Sequence, residues 1–341
     1  MKSKCLILKN RELRIEKMEI EKLRELYKIP KKFVVVKSLY TGICGSDFHK
    51  IRLGTKNEVI LGHECVVEYN KKSYVLNPLL PCQKCEMCKK GHENLCEKIK
   101  TIGFNFPGGF SEYFFVPPEN LYKIKDPSPL YVLVDAFTSV YHGLKNIKQL
   151  LEDNGIEEVL IIGDGVIGFF SALLLSTHLH FRKIQVIGKH RKRLRIFEEV
   201  MNNVETILLK NGLNFRDSKF SFIIEAVGGE KVDPLLYAIS QANPRSIILS
   251  YGVFDPNKLY KVPLRNIFEK EIVLTGSKSY TSKEFKESLR LFNLYRDKLD
   301  SLKSYLKIDK LENIYHLLNR NNDSWKENYL KLIIDWGEKY V

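Results

Sequence analysis

Three residues with metal-ligating side chains stand close together near the start of the chain. Cys44 lies in the stretch Gly42-Ile43-Cys44-Gly45-Ser46-Asp47-Phe48-His49, and His63 and Glu64 follow Gly62. A thiolate, an imidazole and a carboxylate are ligands that divalent zinc takes when one coordination position stays open for substrate. The alternative is that Cys44 packs as a small hydrophobic residue while His63 caps a strand. The two glycine-flanked motifs together favour a catalytic metal site.

Four further cysteines form a second cluster, with the spacing Cys82-x2-Cys85-x2-Cys88-x7-Cys96. The segment has little apolar area to bury, so a bound metal is the simplest source of its order. Four thiolates close a tetrahedral shell, which predicts a structural zinc. A nucleic-acid-binding zinc ribbon usually separates two cysteine pairs by a longer loop. An iron–sulfur cluster would prefer proline where this chain has Glu97.

A glycine-rich turn follows a continuous apolar run at Val159–Ile162. Its sequence is Gly163-Asp164-Gly165-Val166-Ile167-Gly168, and an apolar helical stretch continues from Phe169 to Leu175. In this context the glycines make the turn, let a pyrophosphate approach the backbone and let the helix pack on the strand. The phosphates then lie at a helix N-terminus. Gly163, Gly165, Val166, Ile167 and Gly168 are therefore predicted to bind a dinucleotide.

The residues that follow the next strand predict which dinucleotide is used. Folds that prefer NAD place an acidic residue about twenty positions past the glycine motif to hold the ribose 2′-hydroxyl. Here that position is Gly188, followed by Lys189-His190-Arg191-Lys192-Arg193. Cations suit a 2′-phosphate, so we predict NADP(H), bound at Gly188, Lys189 and Arg191. The alternative is a solvated basic helix start, with NAD bound through other groups.

Short strands and helices must position these residues. Residues 1 to about 40 read as short strands, and the run Phe33–Val36 leads toward Cys44, which should lie at a strand end or in the next turn. Beyond Glu158, apolar strands alternate with helical stretches, a pattern typical of a doubly wound parallel sheet. The predicted strands there are Val159–Ile162, Lys183–Ile187, Thr206–Leu209, Phe222–Ala226, Ser246–Ser250 and Ile272–Thr275.

Length and composition narrow the class of protein. A chain of 341 residues suits two domains. The longest apolar stretch, Val159–Leu175, is short for a membrane span and contains glycines, and no signal peptide is evident, so we expect a cytoplasmic protein that does not enter membranes. The seven cysteines are then metal ligands rather than disulfides, apart from Cys5 and Cys65, which should pack in the interior.

The net charge of the chain indicates what kind of ligand it could bind. Lys and Arg number 55 against 41 Asp and Glu, a net charge of +14. This excess fits nucleic acid, an anionic small molecule or a lysine-rich proteome. No long basic run or basic-aromatic stripe stands out, so we rank nucleic acid last and expect no nucleic-acid partner.

These motifs, in this order, resemble the zinc-dependent medium-chain dehydrogenases, the group of alcohol, sorbitol and threonine dehydrogenases. The resemblance implies that Cys44, His63 and Glu64 lie at the catalytic zinc, with Ser46 and His49 as a proton relay. It also implies that Asp135, near the start of a predicted helix, is the remaining catalytic ligand. The alternative for Asp135 is a carboxylate stabilised by the helix dipole.

The resemblance extends over nearly the whole chain and implies an α/β architecture. A GroES-like, mostly-β catalytic domain would comprise residues 1–136 and 277–341, and a doubly wound Rossmann cofactor domain residues 137–276. It implies two zinc ions per chain, and we expect a homodimer or homotetramer. Tyr69–Ser73 replaces the family's usual glycine-rich turn, so the first domain is trimmed there.

The cofactor half and the tail also resemble one branch, the ribitol-5-phosphate dehydrogenases. The stretches that carry this likeness are Ile162–Gly165, Ile187–Lys189, Glu225–Gly229, Leu274–Ser279, Ser324–Lys326 and Leu330-Lys331. The branch implies reduction of D-ribulose 5-phosphate to ribitol 5-phosphate by NADPH. Lys278 is then a candidate phosphate ligand, unless it is a solvated surface lysine.

Other substrates and one other class of protein fit parts of the sequence. The zinc motifs look closer to sorbitol dehydrogenases, which leaves an unphosphorylated polyol or an amino alcohol as the alternative substrate. A zinc-containing nucleic-acid-binding protein is the remote alternative, and it gives no reason for the glycine-rich turn.

Overall fold

The computed structural model of the chain describes residues 1–209, 219–228, 233–255, 257–319 and 323–337. Gly229, part of one stretch quoted above, lies outside the described residues. The chain divides into two compact units, one of residues 1–135 and 281–341 and the other of residues 136–280. The boundaries suggested by the sequence were 136/137 and 276/277.

The strands, numbered along the chain, have the following bounds: β1 Lys2–Asn10, β2 Glu12–Glu19, β3 Val34–Ile43, β4 Thr55–Val59, β5 Glu64–Tyr69, β6 Lys72–Leu76, β7 Leu79–Leu80, β8 Lys100–Thr101, β9 Tyr113–Val116, β10 Leu121–Lys123, β11 Glu158–Ile162, β12 Lys183–Gly188, β13 Val204–Leu208, β14 Phe220–Glu225, β15 Ala242–Ser250, β16 Val273–Gly276, β17 Leu306–Asp309 and β18 Lys331–Asp335.

The α-helices are α1 Ile20–Leu26, α2 Gly45–Leu53, α3 Glu86–Lys89, α4 Val134–Asp153, α5 Val166–Thr177, α6 Arg191–Val200, α7 Asp233–Gln241, α8 Leu264–Glu269, α9 Ser282–Leu294, α10 Arg296–Asp300 and α11 Leu311–Asn319. Short 3-10 helices span Glu93–Leu95, Pro118–Asn120, Pro129–Leu133, Ser301–Tyr305 and Asp323–Glu327. None of these helices combines the length and the hydropathy needed to cross a membrane.

The first unit is built around one mainly antiparallel sheet. Its strand order is β10-β6-β5-β3-β18-β17, and β9 also pairs with β3. The apolar faces of these strands enclose a core that includes Phe110, Phe114 and Leu332. Strand β3 therefore lies between β5, from the same part of the chain, and β18, which returns from the C-terminal segment.

The hairpin of β5 and β6 takes an unusual turn. Tyr69 pairs with Lys72, so Asn70 and Lys71 alone form the connection. Their φ angles are 48° and 57°, in the left-handed region that a two-residue hairpin turn requires. Asn adopts this region readily, whereas Lys pays a steric penalty there. The turn thus keeps its geometry without the glycines usual in the family.

The second unit contains a parallel sheet. Its strand order within the described residues is β13-β12-β11-β14-β15-β16. Helices connect several of these strands, and residues such as Ile161, Val186 and Ile224 are fully buried, as expected for a sheet covered on both faces. From β11 the successive strands are added first on one side, as β12 and β13, and then on the other, as β14 to β16. The glycine-rich turn follows β11, at this change of direction. The expected fold class, with one mostly-β domain and one doubly wound parallel sheet in the same chain, is confirmed.

Two elements of the first unit were not expected from the sequence, the helix α1 and the strand β17. Residues 20–26 form helix α1, because Ile20 and Leu23, three positions apart, bury one face of a helical turn. Strand β17 was not predicted either; it pairs in parallel with β18 from Leu306↔Lys331 onward. Both are short, and periodicity is least informative over so few residues.

Candidate active site and metal centres

Cys44 occupies the junction between β3 and α2. It is the N-cap of α2, with extended backbone angles, and its N–H donates to Asp47 Oδ2 at 2.9 Å. The thiol is half-buried. As expected, the strand ends one residue before the cysteine, so Cys44 sits where a rigid strand meets a capped helix.

His63 and Glu64 are brought to the same place by the pairing of β3 with β5. Gly42 lies opposite Glu64 in this antiparallel pair. A Cβ atom at position 42 would stand 2.4 Å from Glu64 Oε2, so only glycine leaves room for this carboxylate. Among the described residues, Cys44, His63 and Glu64 form one cluster whose ligand atoms all lie within 4.8 Å of one another.

The cluster fits a divalent cation. His63 Nδ1, Glu64 Oε2 and Asp47 Oδ1 are buried and make no hydrogen bond of standard geometry among the described residues, although Oε2 lies 2.6 Å from Lys331 Nζ. His63 Nδ1 lies 3.5 Å from Asp47 Oδ1. Burial would lower the pKa of His63, but the neighbouring Asp47 and Cys44 raise it well above its ordinary value. Anionic and nitrogen ligands crowded together in this way favour a positive charge at their centre.

Glu64 also contacts a lysine that sequence reasoning did not identify as part of the site. Lys331 Nζ lies 2.7 Å from Glu64 Oε1 and 2.6 Å from Oε2. Only 5% of Lys331 and 1% of Glu64 are exposed. Burial raises the pKa of Glu64, Lys331 lowers it and Asp135 raises it, with a net upward shift. The one available signal was a single lysine beside the apolar run Leu332–Ile334.

Asp135 lies near this cluster but is not a member of it. It is half-buried in the first turn of α4, and it is close enough to Glu64 for its charge to raise the pKa of that carboxylate. Its carboxylate is not among the ligand atoms that lie within 4.8 Å of one another. Its role as a zinc ligand stays a prediction.

Ser46 and His49 lie one turn apart on α2, and both are half-buried. His49 Nδ1 is 3.3 Å from an Arg52 guanidinium nitrogen. Both residues therefore belong to the helix that Cys44 caps, and their part in a proton relay stays a prediction.

The four-cysteine lobe has the geometry of a closed metal site. The sulfur atoms of Cys82, Cys85, Cys88 and Cys96 all lie within 4.8 Å of one another. Backbone N–H groups point at them: Cys85 N is 3.4 Å from Cys82 Sγ, and Cys82 N is 3.3 Å from Cys96 Sγ. The N–H groups of Lys84 and Cys85 lower the pKa of Cys82 to about 6. Such donors stabilise thiolates, the form that binds metal.

The lobe is also tied to a distant helix. Glu93 Oε2 accepts a hydrogen bond of 2.9 Å from the N–H of Ser282, in the first turn of α9. Its Oε1 accepts one of 3.0 Å from Gln83 within the lobe. Glu93 thus joins the lobe to the point where the chain re-enters the first unit.

In the second unit the glycine-rich turn connects β11 to α5. Gly163 has φ = 127°, a conformation that side chains disfavour, and α5 begins at Val166 with Gly165 as its N-cap. Val166 and Ile167 form the first turn of α5, and Gly168 is buried against β11. The free N–H groups of this first turn are suited to bind a phosphate.

A carboxylate does lie at the end of β12, although it comes from the glycine-rich turn itself. Asp164 Oδ2 accepts hydrogen bonds from the N–H groups of Lys189, at 2.6 Å, and His190, at 2.7 Å. Asp164 Oδ1 lies 3.7 Å from a guanidinium nitrogen of Arg193. Burial would raise the pKa of Asp164, but His190 and Arg193 lower it overall. The sequence count from Gly168 missed this carboxylate because the contact is made through space.

The remaining predicted cofactor and substrate residues lie on the surface of the second unit or close to it. Lys189 and Arg191 are exposed, at the end of β12 and the start of α6. Gly188 is buried beside Asp164. Lys278 is exposed just after β16. Their roles in binding stay predictions.

Known proteins share both the fold and part of the sequence. Residues 30–126 match the family model of the alcohol dehydrogenase GroES-like domain. L-Galactonate-5-dehydrogenase of Escherichia coli K12 is 26% identical, covering 75% of this chain and 79% of that protein. D-Altritol 5-dehydrogenase of Agrobacterium fabrum is also 26% identical, with 74% and 78% covered. The structure of galactitol-1-phosphate dehydrogenase from Escherichia coli superposes with a TM-score of 0.77 at 22% identity, over 97% of this chain and 99% of that chain.

A GroES-like domain joined to a doubly wound parallel sheet defines the class of medium-chain dehydrogenases. Within that class, the chain is similar to the zinc-dependent alcohol and polyol dehydrogenases, and it is an oxidoreductase. The resemblance expected from the motifs is confirmed.

Proposed function

We propose that the protein transfers a hydride between NADP(H) and the secondary alcohol or ketone of a polyol, with ribitol 5-phosphate and D-ribulose 5-phosphate as the preferred pair. The observation that carries the reaction type is the cluster of half-buried Cys44 with buried His63 and Glu64, in a chain that resembles this family. The cofactor and the substrate rest on separate arguments.

Zinc is the metal that suits the two ligand sets. Cys44, His63 and Asp135 would hold a catalytic zinc with Glu64 beside it, and the four cysteines of the lobe would hold a structural one. A catalytic zinc supplies Lewis-acid polarisation of the substrate oxygen. Ser46 would take the proton of the hydroxyl group and pass it toward His49, which would act as the base.

The preference for NADP(H) rests on the basic residues at the end of β12. Asp164 is already compensated by two backbone N–H groups, His190 and Arg193, so its charge does not leave the surroundings negative. Lys189 and Arg191 are exposed and available for a 2′-phosphate. A charge-assisted contact of this kind contributes roughly 1.5–3 kcal/mol, about tenfold or more in affinity.

The substrate proposal rests on likeness and charge. The related enzymes described above are named for polyols or sugar acids, two of them for position 5, and one for a polyol phosphate. The net charge of +14 favours an anionic ligand by electrostatic steering. Lys278 is the first candidate for the phosphate. The two relatives whose names contain no phosphate favour the second candidate substrate, an unphosphorylated polyol.

An initial-rate comparison tests all three parts. With NADPH, kcat/KM for D-ribulose 5-phosphate should exceed that for D-ribulose at least tenfold, and NADPH should exceed NADH by a similar factor. Arg191→Ala should reduce the cofactor ratio, with Arg195→Ala, another exposed arginine of α6, as the matched control. Chelation should abolish turnover, and the metal-replete protein should contain two zinc ions. A ratio near one between the kcat/KM values for D-ribulose 5-phosphate and D-ribulose would favour a general polyol dehydrogenase instead.

The expected homodimer or homotetramer and the expected cytoplasmic location stay predictions.

A further inference from the structure

We propose that Lys331 is a positioning residue that holds Glu64 outside the coordination shell of the catalytic metal and so keeps one coordination position free for substrate. This inference rests on the proposed zinc site. It concerns a residue for which the expected catalytic machinery has no role.

The geometry gives Glu64 two competing partners. One of its oxygen atoms belongs to the cluster with Cys44 and His63, within 4.8 Å of their ligand atoms. Both of its oxygen atoms also lie within 2.7 Å of Lys331 Nζ. The ammonium group therefore faces the carboxylate symmetrically, and a metal must draw Glu64 away from it to gain a full ligand.

The fold keeps this arrangement in place. Lys331 is the first residue of β18, whose next residue, Leu332, pairs with Ile43, directly before Cys44. On the other side, Glu64 Oε2 lies against Gly42, where an added Cβ atom would stand 2.4 Å from it. Lys331 is buried, with 5% of its surface exposed. The Glu64 carboxylate therefore lies between a buried cation and the backbone of β3.

The charges explain what this confinement does. A zinc ion with the Cys44 thiolate and the Asp135 carboxylate is already neutral, and the Glu64–Lys331 pair is neutral by itself. Without Lys331, Glu64 is a buried carboxylate with no compensating lysine, and the strongest cation within reach is the metal. It would then become a permanent ligand, bind the metal more tightly and fill the position that substrate needs.

The test compares Lys331→Met with Lys331→Arg, which keeps the cation. Zinc affinity of the catalytic site is measured by chelator competition with the structural zinc retained, and the visible spectrum is recorded after cobalt replaces the catalytic metal. We expect Lys331→Met to bind zinc at least tenfold more tightly, with a changed cobalt spectrum and a kcat at least tenfold lower. Lys331→Arg should keep the zinc affinity of the unmodified protein. Unchanged or weaker zinc binding in folded Lys331→Met would overturn the proposal.

Two further variants guard against loss of folding. Glu64→Gln should change zinc affinity less than fivefold if Glu64 lies outside the shell, whereas a loss of a hundredfold would contradict the proposal even if Lys331→Met cannot be purified. The double variant Lys331→Met with Glu64→Gln should lose the tighter binding. Failure of the wild-type protein to bind a catalytic zinc or to transfer hydride would refute the proposed function instead, which keeps the two failures distinct.

Discussion

His63 shows how much a single contact adds to a metal site. Its imidazole lies between Asp47 and Cys44, and Asp47 is fully buried. A carboxylate beside a ligating histidine fixes the ring orientation and makes it a better ligand. Asp47 also accepts the N–H of Cys44, so one side chain orients two of the proposed zinc ligands.

We therefore expect Asp47→Asn to weaken zinc binding or turnover by about 10- to 100-fold. An amide oxygen can still accept the N–H of Cys44, so the cap of α2 should survive while the charge facing His63 is lost. Zinc affinity and kcat would be measured beside Glu86→Gln, a carboxylate in the first turn of α3, as a control. Activity within twofold of the wild type would show that Asp47 is needed only for the helix cap.

At the scale of elements, the junctions carry most of the chemistry. Cys44 caps α2 at the end of β3, and Asp164 joins the turn after β11 to the end of β12. In each case a polar side chain satisfies backbone N–H groups that a helix or strand end leaves unpaired. The junction at Asp164 is therefore sensitive to protonation of its carboxylate.

The pKa of Asp164 is lowered in the folded protein, which links the stability of the second unit to pH. The unfolded carboxyl has a pKa of about 3.9. Because the folded value is lower, its stabilising contribution is complete above about pH 3.9 and is lost as the pH falls through the folded pKa.

Hydrogen exchange of the Lys189 and His190 amides measures this directly. In the wild type their protection should fall in acid more steeply than in Asp164→Asn, while at pH 7 the variant should be the less protected protein. Glu158→Gln, a change of a half-buried carboxylate at the start of β11, is the control. Equal pH dependence in all three proteins would contradict the linkage.

The elements that sequence patterns identified are those with local signals. Cys44 at the end of a strand, the four-cysteine lobe and the glycine-rich turn could each be recognised from residue types and spacing within a short segment. Lys331, Asp47 and Asp164 could not, because their roles depend on contacts that the fold creates. Lys331 meets Glu64 across 267 positions of sequence, and no periodicity reports such a pairing.

At the scale of the whole molecule, β16 forms one edge of the parallel sheet and pairs with no further strand among the described residues. Strand β16 is the last strand in its order, and Val273 and Leu274 on it are exposed. Nearby in sequence, Leu264 and Phe268 of α8 are exposed to 72% and 82%. An exposed apolar edge strand readily pairs with another copy of itself.

We expect a homodimer formed through this edge. Leu274→Lys combined with Phe268→Ser should convert it to a monomer, measured by light scattering during size-exclusion chromatography, because charge on an edge strand opposes pairing. Leu294→Ser, an equally simple loss of an exposed apolar side chain in the first unit, should leave the mass unchanged. A wild-type monomer at micromolar concentration would refute the expectation.

The position of β18 near the C-terminal end of the first unit also affects the order in which the site forms during translation. A ribosome releases Cys44, His63 and Glu64 early, then the cysteine lobe and the whole second unit, and only afterwards the strand that contains Lys331. Until that strand emerges, residues Tyr40–Ile43 of β3 lack one of their two partner strands and Glu64 has no lysine partner. The nascent chain thus presents the three side chains of the candidate metal cluster before the residue proposed to restrain one of them has been translated. Arrival of the last strand is then the step at which the ligand set acquires its final form.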